Sequence, residues 1–154
     1  MTNLTSIFRA GFVRRWHSNP DLCHTVDRID GHSARAARII LALHPSPSVA
    51  LIRAALTHDD GESVTGDMSA VCKHGNPELA EMLAGAEHAA RRAIWGHEPD
   101  LSDRDRIWLK FADRLDAWMW AKHHAPHALD GDGWPECRRW LFAQAEALGV
   151  AVTL

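Results

Sequence analysis

The residues best suited to chemistry stand together in His58-Asp59-Asp60-Gly61-Glu62, at the end of the apolar run Ser48 to Thr57. An imidazole and three carboxylates lie within five positions, where a buried helix should be stopping. Imidazole nitrogen and carboxylate oxygen are the donors that a hard or borderline divalent cation accepts. Neighbouring His and Asp side chains diverge by about 100° on a helix, so they meet one ion only across a helix end or crevice. His32 upstream and Asp113 downstream supply two further donors of the right type. A His2Asp2 set leaves coordination positions open for water and substrate, and the cation brings the pKa of a bound water down from 15.7 toward neutrality. With 11 His and 13 Asp in the chain, a single His-Asp step is expected about once by chance. The argument therefore rests on the elements that would gather these residues.

Each step of that gathering has a local signal. Leu4, Ile7, Phe8, Gly11 and Phe12 recur at helical spacing and predict a first helix over about 3–14, although residues 1–20, rich in Arg and free of acid, also have the composition of a transit peptide. Residues 15–30 read as irregular, with a turn at Ser18-Asn19-Pro20-Asp21. A second helix starts near Asp30-Gly31-His32, with Asp30 able to cap it, and runs to His44-Pro45. Ser46-Pro47 predicts a third over about 47–59. The short connection makes these two antiparallel neighbours, which sets His32 beside His58-Asp59. Gly61, Thr65 and Gly66 keep the next stretch in a loop carrying Glu62 and Asp67.

Asn76-Pro77 opens a fourth helix, whose apolar stripe is Leu79, Met82, Leu83, Ala86, Ala90, Ala93 and Ile94, closed by Gly96. Ser102-Asp103-Arg104-Asp105 caps a fifth, with Trp108, Phe111, Ala112, Leu115, Trp118 and Met119 on one face, running to about His124. Asp113 falls off that face, on the row of Leu109, Ala117 and Trp120. A last helix spans about 134–148 and stops at Gly149. No segment alternates with period two for long. The expected fold is all-α, one domain over 1–154 with about six helices.

Composition excludes several classes. A net charge of -3 argues against a sequence-independent nucleic-acid binder, and no apolar run reaches the 18 residues a membrane crossing needs. Cys23, Cys72 and Cys137 form no CxxC and suit a reducing compartment, so a cytoplasmic location is expected. His123, His124 and His127 are read as solvent-facing, and Cys72-Lys73-His74 as structural.

The order His32…His58-Asp59…Asp113 resembles the HD-domain metal-dependent phosphohydrolases, which have an all-α core. Arg15-Trp16, His32-Ser33, His58-Asp59-Asp60-Gly61-Glu62 with Thr65-Gly66-Asp67, Lys73, and Lys110-Phe111-Ala112-Asp113 resemble the YfbR-like 5′-deoxynucleotidase branch over roughly residues 12–120. The resemblance implies His32, His58, Asp59 and Asp113 as ligands of one divalent ion (Co, Mn, Zn, Mg or Fe). It implies Glu62 as acid/base, Asp67 near the sugar or the attacking water, and Arg15, Trp16 and Lys73 as substrate-binding residues. A guanidinium offers a fork of donors to phosphate, and an indole offers a face to a base. The activity it implies is release of phosphate from deoxynucleoside 5′-monophosphates. The chain is shorter than the bacterial nucleotidases, and its 68–100 region looks trimmed. Compact phage relatives of the branch are deoxynucleoside triphosphohydrolases, so triphosphate removal from a dNTP at the same site is the alternative. A non-catalytic nucleotide-binding protein is a third reading, which the intact ligand set and Glu62 argue against. A homodimer or larger homo-oligomer is expected by analogy.

Overall fold

The computed structural model describes residues 3–131 and 133–154, and the chain is all-helical. The helices are α1 (Leu4–Ala10), α2 (Ile29–Leu43), α3 (Val49–Thr57), α4 (Glu62–Thr65), α5 (Ala70–Gly75), α6 (Pro77–Trp95), α7 (Asp103–His124) and α8 (Trp134–Leu148), with a 3-10 helix at Pro126–Asp130. Six of these were expected; α4, α5 and the 3-10 turn are short additions. Among the described residues the extended structure is a single antiparallel bridge between Arg14 and Arg28.

That bridge explains why α1 stops at Ala10 rather than near 14. Gly11 ends the helix, and residues 13–15 then pair with 27–29: Ile29 N–H donates to the Val13 carbonyl and Arg15 N–H to the Asp27 carbonyl, at 3.1 and 3.0 Å. The turn at Asn19 forms as expected, its side-chain oxygen accepting from the amides of Asp21 and Leu22. α3 begins two residues later than Ser46-Pro47 suggested. Ser48 is the cap, its hydroxyl accepting from Leu51 N–H, and Pro47 lies just outside the helix. Asn76 caps α6 and Ser102 caps α7 through the same kind of bond, to Leu79 and Asp105.

The chain groups into two compact units. The first takes Met1–Ser33 and Thr57–Pro99, the second Ala34–Leu56 and Asp100–Leu154. In the first, α6 packs against α1, α4 and α5, and α1 against α4. In the second, α7 packs against α8 and the 3-10 helix. Ile40, Leu51, Trp108, Phe111, Leu115, Trp118, Trp134 and Leu141 are large buried side chains there. Met119, expected on the buried face of α7, is 54% exposed, whereas Asp116 is buried and ion-paired to Arg35 at 2.6 Å.

The buried polar residues are distributed unevenly. Arg15, Thr25, Asp27, His32, Ser33, Thr57, Asp60 and Glu62 all belong to the first unit, and Asp116 to the second. Buried charges need partners or a cation, which makes the first unit the place to look for a charged site.

Candidate metal centre

The metal-type donors lie at two helix ends. His32 falls in the first turn of α2, its N–H bonded to the Arg28 carbonyl, and its side chain is fully buried. His58 and Asp59 follow the last residue of α3. There the helix gives way to a tight turn in which Asp60 N–H donates to the Thr57 carbonyl and Glu62 N–H to the Asp59 carbonyl. The two imidazoles come within 5.2 Å, centroid to centroid. Nε2 of His32 lies 3.4 Å from one Asp59 oxygen, and Nε2 of His58 lies 3.3 Å from the other. The three donor atoms all sit within 4.8 Å of one another.

These spacings fit a divalent ion. Both contacts are longer than a charge-assisted hydrogen bond, at 2.7–2.9 Å. Ligand atoms held 2.0–2.2 Å from one cation stand roughly 3 Å apart, close to what is found here. Among the described residues this is the one group of three such donors; His123, His124 and His127 form none. The fourth expected ligand, Asp113, belongs to the second unit. It is half-buried on α7, where its charge works with burial, and against Arg114, to raise the Cys137 thiol pKa.

Glu62, at the start of α4, is buried beside these donors. Burial first, then the charges of Asp59 and Asp67, push its pKa up from 4.5 to about 9, and Lys73 pulls it partly back. Its Oε2 has no hydrogen-bond partner among the described residues. Lys73 Nζ lies 3.7 Å from Glu87 Oε1, which also accepts from the Thr65 hydroxyl at 3.3 Å. Asp60 is likewise raised, by burial above all, while the Trp95 indole N–H bonds its Oδ2 at 2.7 Å and opposes the rise.

Arg15, Trp16 and Asp67 come together as well. Arg15 is buried, with Nη1 3.1 Å from Asp27 Oδ2, and its guanidinium lies 4.8 Å from the centre of the Trp16 ring. The Trp16 indole N–H donates to that same Asp27 oxygen, at 3.0 Å. Trp16 is also the one non-glycine residue at positive φ (66°) among the described residues, and its N–H donates to Asp67 Oδ2 at 3.0 Å. Asp67 thus holds the backbone of Trp16, a task that its expected place near sugar or water did not include.

Asp27, Glu87, Arg91 and Trp95 carry much of this arrangement and were not singled out from the sequence. Asp27 had no signal, since a lone Asp in an irregular segment reads as solvated, yet it is 1% exposed. Glu87, Arg91 and Trp95 recur every four residues along α6, a helical row hidden by its polar content.

A family model described as 5′-deoxynucleotidase YfbR-like matches residues 3–124. No curated protein matches the sequence.

Proposed function

Because the chain belongs to the YfbR-like 5′-deoxynucleotidase family, and is thereby a 5′-deoxynucleotidase-type phosphohydrolase, we propose that it releases phosphate from deoxynucleoside 5′-monophosphates at a divalent-metal centre. In this reading residues 1–154 form one catalytic domain, cytoplasmic and self-associating as a homodimer or larger assembly. The observation that carries the reading is the meeting of His32, His58 and Asp59 beside a buried Glu62 whose pKa is raised. Asp113 is the fourth ligand that the family resemblance implies. A divalent ion held there would supply Lewis-acid chemistry.

The remaining work falls to side chains. As water adds to phosphorus the P–O5′ bond breaks, and the departing 5′-oxygen needs a proton. Glu62, buried beside Asp59 and Asp67, is suited to take a proton from the attacking water and pass it to that oxygen. Arg15 and Lys73 present positive charge to the phosphate, each oriented by a carboxylate, Asp27 and Glu87. Trp16 offers its ring to the nucleoside, and Asp67 fixes the backbone that aims it.

Incubation with dAMP and dATP separately, in Mn²⁺ or Co²⁺, tests this. Orthophosphate from dAMP is expected. Inorganic triphosphate from dATP with dAMP untouched would replace the nucleotidase by a triphosphohydrolase, and nucleotide binding without turnover would make the protein a sensor.

A further inference from the structure

Adjacent residues in a chain do not naturally aim at one point. For His58 and Asp59 to do so, the peptide plane between them must be held in one orientation, because that rigid unit sets where both side chains leave the backbone. The oxygen of that peptide is the His58 carbonyl. It lies just past the end of α3, where carbonyls lack helical partners. Arg91 of α6 donates to it from Nη1 at 3.1 Å.

Arg91 is itself held. Its Nε donates to Glu98 Oε1 at 2.8 Å, and the other Glu98 oxygen meets His88 Nδ1 at 3.0 Å. Glu98 reaches back to Arg91 because α6 ends at Gly96, whose φ of 80° reverses the chain. A planar guanidinium can hold the carboxylate on one edge and the carbonyl with another nitrogen; an ammonium has no such fixed fork. One turn further along α6, Trp95 bonds the Asp60 carboxylate. One turn before, the Glu87 backbone sits against Gly61 so closely that a Cβ there would lie 2.3 Å from its carbonyl oxygen. A single row of α6, contributing no ligand, thus grips the metal-binding turn at three successive places.

We propose that Arg91 is a positioning residue for the metal centre, setting the His58–Asp59 peptide so that both side chains face one cation, with Glu98 holding Arg91 in place. This rests on the metal-centre reading above. Partners that orient metal ligands typically contribute about 10- to 100-fold in metal affinity.

The test is Co²⁺ binding to the full chain, followed by titration and by the visible absorption band of the bound ion. Arg91→Ala should bind Co²⁺ about 10- to 100-fold more weakly, with a shifted band, and millimolar methylguanidinium should restore part of both. Arg91→Lys should recover little. Glu98→Gln, at a half-exposed position outside the packed interior, should weaken binding in the same direction by less, and serves if Arg91→Ala does not fold. Normal wild-type uptake with unchanged affinity and band in the folded variants overturns the positioning role alone. Failure of the wild-type protein to take up Co²⁺ overturns the metal centre and this role with it.

Discussion

Glu62 is a carboxyl group that the fold holds against its ordinary chemistry. Its pKa rises from 4.5 to about 9, chiefly through burial, so between those pH values the folded chain keeps a proton that the unfolded chain has shed. Stability must then fall as pH rises through that window, because the folded state binds more protons. In protein stripped of metal, the melting temperature should decline from pH 5 to pH 9, and Glu62→Gln, which cannot ionise, should decline less. Parallel curves would show that Glu62 ionises freely. With metal restored, the same variant should keep its ion yet lose on the order of 10²–10⁴ in turnover. Trp16 presents a different strain. Its positive φ costs a non-glycine residue about 1–2 kcal/mol, and the Asp67 carboxylate holds it there. Asp67→Ala should raise KM for nucleotide while leaving Co²⁺ affinity unchanged, and loss of metal instead would place Asp67 among the ligands.

At the scale of elements, the close approach of Gly61 to α6 is the most exacting contact. Its φ of −63° is ordinary, so the need for glycine is one of space, and Gly61→Ala must push α6 or the turn aside. Overpacking of this kind costs about 1–3 kcal/mol, and here it should also weaken Co²⁺ binding. A melting temperature and cobalt affinity equal to wild type would show that the turn and helix yield freely. The elements differed in how plainly they could be read. Asn76, Gly96, Ser102 and Gly149 mark helix ends through bonds or dihedrals local to a few residues, and each sits where the sequence suggested. The end of α1 was hidden because it depends on pairing with residues 27–29, far along the chain. The inward face of α6 is legible only in part, for another reason. Of the apolar stripe, Ile94 is buried and Leu79, Leu83 and Ala90 are half-buried, whereas Ala86, Ala93 and Met82 (73% exposed) face out and Glu87 and Arg91 turn inward. Apolar periodicity finds the buried face only where the interior is apolar, and around this turn it is not. The site itself was legible as residue types at a spacing; Asp27, Arg91 and Trp95, which aim those residues, left no local mark.

Across the whole molecule, no helix among the described residues is long and apolar enough to cross a membrane, and the two units differ mainly in what they bury. The second encloses Trp108, Phe111, Trp118 and Leu141, side chains that need no ion to stay together. The first encloses Leu22, Ile29 and Ile94 but also His32, Asp60 and Glu62, polar groups that burial places under strain. Such an interior opens locally at a lower free energy than an apolar one, and a cation bound there closes it by mass action. Backbone amides provide a residue-by-residue clock for this difference. On chelation, deuterium should enter residues 57–66 and the first turn of α2 faster by orders of magnitude, while α8 and the middle of α7 keep their rates. Uniform acceleration along the chain would mean that the ion governs global unfolding. Confined acceleration would mean that the unit holding His32, His58 and Asp59 closes fully only with an ion bound there, so that supply of the ion, as well as synthesis of the chain, would set how much of the protein is closed.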